Sequence, residues 1–132
     1  MKKYFLDANI IIDYLLHRQV DNNLEVFLKE VSGKNIYISS LTVHIIFYVL
    51  KIKYNSELYF QTKNLLNSIN IIPQSNRITE LSLNTEYKDF EDTIQFISAQ
   101  QYCDTILTRD VKDFNKIKDI TKSRIEIIFR YE

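Results

Sequence analysis

The 132-residue chain contains no tryptophan and only one each of glycine, proline, cysteine and methionine. So little glycine and proline excludes collagen-like and linker-like chains, which need those residues at high density. A lone Cys103 cannot close an internal disulfide, which excludes a secreted disulfide scaffold and fits a reducing compartment such as the cytoplasm. Net charge is also lacking: 17 basic residues balance 17 acidic ones, so no global field attracts a polyanion and any such binding must be local. Long apolar runs are missing as well. Asp7 and Asp13 interrupt the apolar stretch after Met1-Lys2-Lys3, no small-residue cleavage site follows, and neither a signal peptide nor a membrane span is expected. What is present is a 45% hydrophobic composition with nine tyrosines and eight phenylalanines, enough for one folded domain over residues 1–132.

Strand and helix signals alternate along the chain. Tyr4-Phe5-Leu6 predicts a short buried strand ending at Asp7, followed at once by an apolar helix from Ala8 to Leu16. Asp21-Asn22-Asn23 supplies capping side chains for a helix over Leu24 to Val31, with Gly33 suited to a left-handed stop. Ile36-Tyr37-Ile38 is a strand. Helices follow from about Leu41 to Lys53, capped by Ser39 or Ser40, and from Glu57 to about Ser68, capped by Ser56. Ile69 to Ile72 is β-branched and stopped by Pro73, which predicts a third strand. Arg77 to Leu83 and Asp89 to Tyr102 are expected to be helical, and Thr105–Thr108 and Ile125 to Phe129 to be strands. This alternation predicts an α/β fold, a three-layer sandwich around a mainly parallel sheet.

Ligands of such sheets gather beyond the carboxyl ends of the strands. Asp7 ends the first strand, Asp110 lies just past Thr105–Thr108, and Asp92 sits in the first turn of the helix leading into that strand. Each acid also has an ordinary structural use. Asp89, Glu91 and Asp92 open a helix, where carboxylates cap free N–H groups, and Asp110 and Asp113 suit a turn. Asp7 stands between an apolar strand and an apolar helix, where burial is expected and pairing, hydrogen bonding or a metal is required. If Asp7, Asp92 and Asp110 converge, two charges about 4 Å apart repel by roughly 4 kcal/mol at an effective dielectric of 20. Protons or a cation must then intervene. Oxygen donors select Mg²⁺ or Mn²⁺, whereas one cysteine and the unmatched His17 and His44 disfavour zinc. Metal-assisted phosphodiester hydrolysis is the chemistry this implies.

The segments Phe5-Leu6-Asp7-Ala8-Asn9-Ile10-Ile11-Ile12-Asp13, Ser39-Ser40-Leu41-Thr42, Asp89-Phe90-Glu91-Asp92-Thr93-Ile94-Gln95, Leu107-Thr108-Arg109-Asp110 and Lys112-Asp113-Phe114 occur in this order. Together they resemble the PIN-domain family, the nuclease fold of VapC-type toxins, over nearly the whole chain. The resemblance implies a parallel-sheet α/β/α sandwich, Mg²⁺ or Mn²⁺ binding, cleavage of single-stranded RNA, and a homodimer held inactive by an antitoxin. Carried over by position, Asp7, Asp92 and Asp110 are metal ligands and Asp113 an auxiliary fourth acid. Asn9 orients the first aspartate, and Thr108 binds substrate phosphate or orients the neighbouring loop. Lys51, Lys53, Arg109 and Lys112 are the expected phosphate contacts at the rim, and Asp13 is expected to be structural.

One departure stands out. Family members carry a glutamate three residues after the threonine of the second segment, but Thr42 is followed by Val43, His44 and Ile45. A subgroup sharing the Asp-Phe-Glu-Asp pattern also lacks this acid, and weaker metal affinity is the expected consequence. Glu91 points about 100° away from Asp92 on a helix, which argues against joint ligation, and His44 reads as a helix residue. The missing acid keeps open a degenerate PIN module that binds RNA or protein without cutting. A phosphotransfer domain with Asp7 as nucleophile is a further reading, with no lysine or threonine marked for an acyl phosphate. Phe47, Tyr48, Tyr54, Tyr59 and Phe60 exceed what one helix face buries; core packing explains most of them, and any exposed remainder suits a dimer or antitoxin groove.

Overall fold

The computed structural model describes residues 1–18 and 24–130. Five short strands, β1 (Tyr4–Leu6), β2 (Ile36–Ser39), β3 (Asn70–Ile72), β4 (Thr105–Leu107) and β5 (Glu126–Ile128), form one sheet. Every pairing is parallel, and the spatial order is β3-β2-β1-β4-β5. Among the described residues the helices are α1 (Ala8–Leu15), α2 (Leu24–Glu30), α3 (Ser40–Leu50), α4 (Glu57–Asn67), α5 (Asn76–Leu83), α6 (Phe90–Tyr102) and α7 (Val111–Thr121).

The central strand β1 is apolar and buried throughout because both faces of the sheet are covered there, and alternate side chains enter different cores. Tyr4 and Leu6 of β1 join Ile36 and Ile38 of β2 under α1, α2 and α3, against Ile10, Phe27 and Ile46. Phe5 of β1 and Ile106 of β4 point the other way, into a cluster with Ile78, Phe96, Phe114 and Ile117 of α5, α6 and α7. The result is the α/β/α sandwich expected from the alternation of elements.

Three local expectations are corrected. Asp113, expected with Asp110 to suit a turn, instead lies inside a helix that was not expected, α7 (Val111–Thr121), which is amphipathic and buries Phe114 and Ile117. α3 ends at Leu50 rather than Lys53, because Lys51 adopts a left-handed conformation at φ 50° that closes the helix. Gly33 has no positive φ: it opens a 3₁₀ turn (Gly33–Asn35), and it must be glycine for another reason. A Cβ there would lie 2.0 Å from the backbone oxygen of Ser68, so the turn approaches the end of α4 too closely for any side chain. The capping role assigned to Asp21-Asn22-Asn23 lies outside the described residues.

The topology sets where a site can form. β1 is central, with β2 on one side and β4 on the other, and this change of direction in the strand order opens a crevice beyond the carboxyl ends of β1 and β4. Tight coupling holds the crevice walls: the Asp7 amide donates to the Leu107 carbonyl at 3.0 Å, and the Thr108 amide to the Ile128 carbonyl at 2.9 Å.

Candidate metal centre

Asp7 leaves β1 with extended backbone and serves as the N-cap of α1, its Oδ1 accepting from the Ala8 amide at 2.7 Å. A capping carboxylate has a second oxygen to place. Here Oδ2 accepts from the Thr108 hydroxyl at 2.7 Å and from the Asn9 amide nitrogen at 3.1 Å. Despite these donors, burial is the largest influence on the Asp7 carboxyl and pushes its pKa up to about 6, with the charges of Asp110 and Glu91 adding to the rise.

Asp110 holds the N-cap position of α7 but makes no side-chain cap hydrogen bond. Its carboxylate turns instead toward Asp7, and its Oδ2 accepts from Asn9 Nδ2 at 3.2 Å. The same loop is held by a second donor, since the Asp110 amide donates to Thr108 Oγ1 at 2.9 Å. Asn9 is therefore a bridge: one amide nitrogen serves both acids, and its Oδ1 accepts from the Arg109 amide at 3.3 Å. Of the two residues expected beside the acids, Asn9 thus contacts Asp7 and Asp110, and Thr108 contacts Asp7 and the Asp110 amide.

Asp92 comes from the opposite wall. Asp89 is the N-cap of α6 and accepts from the Asp92 amide at 3.0 Å, so capping falls to Asp89 and the Asp92 carboxylate is left to face the crevice. Its pKa is pushed up to about 7, first by burial and then by the charges of Asp89, Asp7, Asp110 and Asp113. These carboxylates feel one another, which is the expected signature of acids gathered in one crevice.

Asp7, Asp92 and Asp110 line one cavity of about 580 Å³, together with Asn9, Glu91, Gln95, Arg18 and Arg109. Glu91 faces the same space as Asp92 although the two are neighbours on the helix. Ile45 lines the wall where the family acid is absent. Among the described residues, no three acid, histidine or cysteine side chains stand close enough together, as arranged, to hold a metal ion. The acids share a cavity, and the amide nitrogen of Asn9 lies between two of them. The donor set nonetheless fits a hard divalent cation: it is all oxygen, half-desolvated and mutually repelling. Cys103 offers no competing soft ligand, as burial pushes its thiol up to about 12.

The remaining expected residues divide. Asp113 lies in the first turn of α7, where it reaches Lys116 at 4.0 Å and contributes charge to Asp92 without lining the cavity. Lys51 and Lys53 lie beyond Leu50, the last α3 residue in the cavity wall, and neither they nor Lys112 line it. Arg109 does line it, but its Nε is 3.2 Å from Asp13 Oδ2.

Sequence reasoning missed Gln95 and Arg18. Gln95 stands three residues after Asp92 on the same helix face, and its Oε1 accepts from Ser39 Oγ at 2.5 Å and Thr42 Oγ1 at 3.1 Å. The Ser39–Thr42 capping box of α3 thus fixes α6 across the crevice. The i+3 spacing from Asp92 was the available signal for Gln95. Arg18 had none, because its partner Asp13 is recognised only once it is known to be buried.

A family model described as "PIN domain" matches residues 3–112. Ribonuclease VapC1 of Aquifex aeolicus is 27% identical over 118 residues, covering 83% of this chain and 82% of that protein. A toxin–antitoxin complex from Klebsiella pneumoniae superimposes with a TM-score of 0.70 at 25% identity, covering 98% of this chain and 99% of the other. FitAcB from Neisseria gonorrhoeae has the same fold, with a TM-score of 0.72 at 16% identity over 95% and 96% of the two chains. With its strand order, its crevice acids and a match over most of its length, the chain belongs to the PIN-domain family.

Proposed function

We propose that the protein is a metal-dependent endoribonuclease of the VapC type, the toxin of a toxin–antitoxin pair, in which Asp7, Asp92 and Asp110 hold Mg²⁺ or Mn²⁺. The observation that carries this reading is the meeting of three strand-end and helix-start acids in one cavity, with Asp7 and Asp92 both driven toward protonation by burial and mutual repulsion. Its relatives support it: one is named a ribonuclease and another is a toxin–antitoxin complex.

Asp7, Asp92 and Asp110 would hold the divalent cation, which when bound would supply Lewis acidity toward a phosphodiester and toward water near neutral pH. The chain's own residues organise that chemistry. Thr108 and Asn9 donate to Asp7 Oδ2, which fixes the carboxylate plane, and Asn9 holds Asp110 Oδ2 in register with it. Asp89 caps α6 and keeps Asp92 free to face the cavity. Asp113 adds negative charge behind Asp92. Arg109 contacts substrate phosphate at the cavity, and Lys51, Lys53 and Lys112 do so farther along the strand of RNA. With Ile45 in place of an acid, one fewer carboxylate is available and weaker metal affinity is expected.

Tyr48, Tyr54 and Phe60 on and between α3 and α4 are 77%, 82% and 46% exposed, and Tyr54 and Phe60 both meet Tyr59 edge-on. This aromatic surface is the proposed contact for a second copy of the chain or for the antitoxin. No helix among the described residues is long and apolar enough to cross a membrane.

The test is Mn²⁺-dependent cleavage of single-stranded RNA by the wild type and by Asp7→Asn and Asp92→Asn. Products with 5′-phosphate and 3′-hydroxyl ends from the wild type, and none from either folded variant, are expected. Full turnover by both variants removes these residues from the mechanism. Absence of Mn²⁺ binding and of cleavage in the wild type would favour a module that binds without cutting.

A further inference from the structure

We propose that Asp13 is a positioning residue that holds Arg18 and Arg109 as a paired guanidinium clamp for a backbone phosphate of single-stranded RNA beside the carboxylate cavity. The inference deepens the ribonuclease reading and rests on it.

Asp13 lies in α1 among Ile10, Ile11, Ile12 and Leu15 and is completely buried. A carboxylate there needs partners, and it has two: Arg18 Nη1 donates to Oδ1 at 3.2 Å, and Arg109 Nε lies 3.2 Å from Oδ2. The second contact is one of charge without hydrogen-bond alignment, so Oδ2 is left with no formed hydrogen bond. Stability alone is a weak reason for this arrangement, because apolar residues of similar volume commonly replace buried ion pairs at no loss.

The geometry points outward. Both arginine side chains are close to half-exposed, and both line the cavity that contains Asp7, Glu91, Asp92 and Asp110. They are the cations among its described lining residues, in a wall whose acids would otherwise repel a polyanion. Each is also tied by its backbone. The Arg18 amide donates to the Asp13 carbonyl at 2.9 Å, and the Arg109 amide to Asn9 Oδ1 at 3.3 Å. Asn9 and Asp13, one helical turn apart on α1, thus hold the backbone and the side chain of Arg109 on one face. Each guanidinium commits one nitrogen to Asp13 and presents the rest of its five-donor fork, the geometry that grips phosphate oxygens in pairs. The clamp is set before the ligand arrives, which lowers the ordering penalty of binding.

The test is steady-state cleavage of a short fluorescein-labelled single-stranded RNA with Mn²⁺ across a salt series, comparing wild type, Arg18→Gln, Arg109→Gln, Arg18→Lys and Asp13→Asn. Each glutamine variant is expected to raise KM about tenfold with kcat much less affected, since it removes a charge-assisted contact. Each is also expected to flatten the dependence of log kcat/KM on log salt by about 0.7. Arg18→Lys restores the salt slope but only part of KM, and Asp13→Asn raises KM with the slope kept. Wild-type KM and slope in both folded glutamine variants would overturn the clamp while leaving the ribonuclease reading intact. An Asp13→Asn protein that folds with wild-type KM would overturn the positioning role. A wild type that cuts no RNA defeats the parent reading and the clamp with it.

Discussion

Asn9 Nδ2 lies 3.1 Å from Asp7 Oδ2 and 3.2 Å from Asp110 Oδ2, joining acids that follow two neighbouring strands. One neutral donor thus offsets part of the repulsion between two carboxylates and fixes their relative orientation. Asn9→Ala removes both contacts and the acceptor for the Arg109 amide. RNA cleavage should fall about 10–100-fold, the usual effect of losing a group that orients metal ligands, with the fold retained. Mn²⁺ titration calorimetry beside the cleavage assay checks this: an alanine variant with wild-type metal affinity and rate would show the bridge to be dispensable.

The raised carboxyl groups make stability depend on pH in a defined direction. Asp7 and Asp92 titrate near 6 and 7 in the folded chain against 3.8 for an ordinary aspartate, so the folded state binds protons more tightly than the unfolded state. Their contribution is present in full below the unfolded value and is lost as pH rises through about 6 and about 7. The metal-free protein should therefore melt at a lower temperature at about pH 8 than at about pH 5.5, and Mn²⁺ should recover more at the higher pH. Differential scanning calorimetry in chelator and in Mn²⁺ measures both. A melting temperature that rises between those pH values without metal would contradict the assignment.

The same logic separates loss of function from loss of fold. Asp92→Asn removes a half-buried charge repelled by Asp89, Asp7, Asp110 and Asp113. At about pH 8 the metal-free variant should be at least as stable as wild type, while Mn²⁺ no longer raises its melting temperature. A variant markedly less stable than wild type would mean that Asp92 serves the fold more than the site.

Gly33→Ala probes the close approach of the 3₁₀ turn to α4. The added Cβ would sit 2.0 Å from the Ser68 carbonyl oxygen, a backbone atom that cannot swing aside. A destabilisation of about 1–3 kcal/mol is expected from such overpacking. Urea denaturation checks it, and an unchanged midpoint would show that the turn yields without strain.

The sequence and the structure agree where local chemistry decides. Apolar strands such as Tyr4–Leu6 and serine-capped helices such as that after Ser56 carry their signals within a few residues. Asp7 was legible for the same reason, as an acid lodged in an apolar run. α7 was not, because Asp110 and Asp113 suit a turn as well as a helix start, and only Phe114 and Ile117 carry the helical spacing. Gly33 was read for its conformational freedom, yet its role depends on Ser68, a neighbour only in space. Asp13 was read as structural. Its contact with Arg109 joins distant parts of the chain, and no spacing rule could announce it. The absent acid after Thr42 was visible, but that Ile45 lines the cavity wall in its place follows only from the fold.

The most direct test of the central claim is anomalous diffraction from crystals of the wild-type protein soaked in Mn²⁺. The expected result is a single strong peak in the crevice beyond β1 and β4, at about 2.0–2.3 Å from carboxylate oxygens of Asp7, Asp92 and Asp110. A peak elsewhere, or none at concentrations that support RNA cleavage, would contradict the assignment of these three acids as the metal centre.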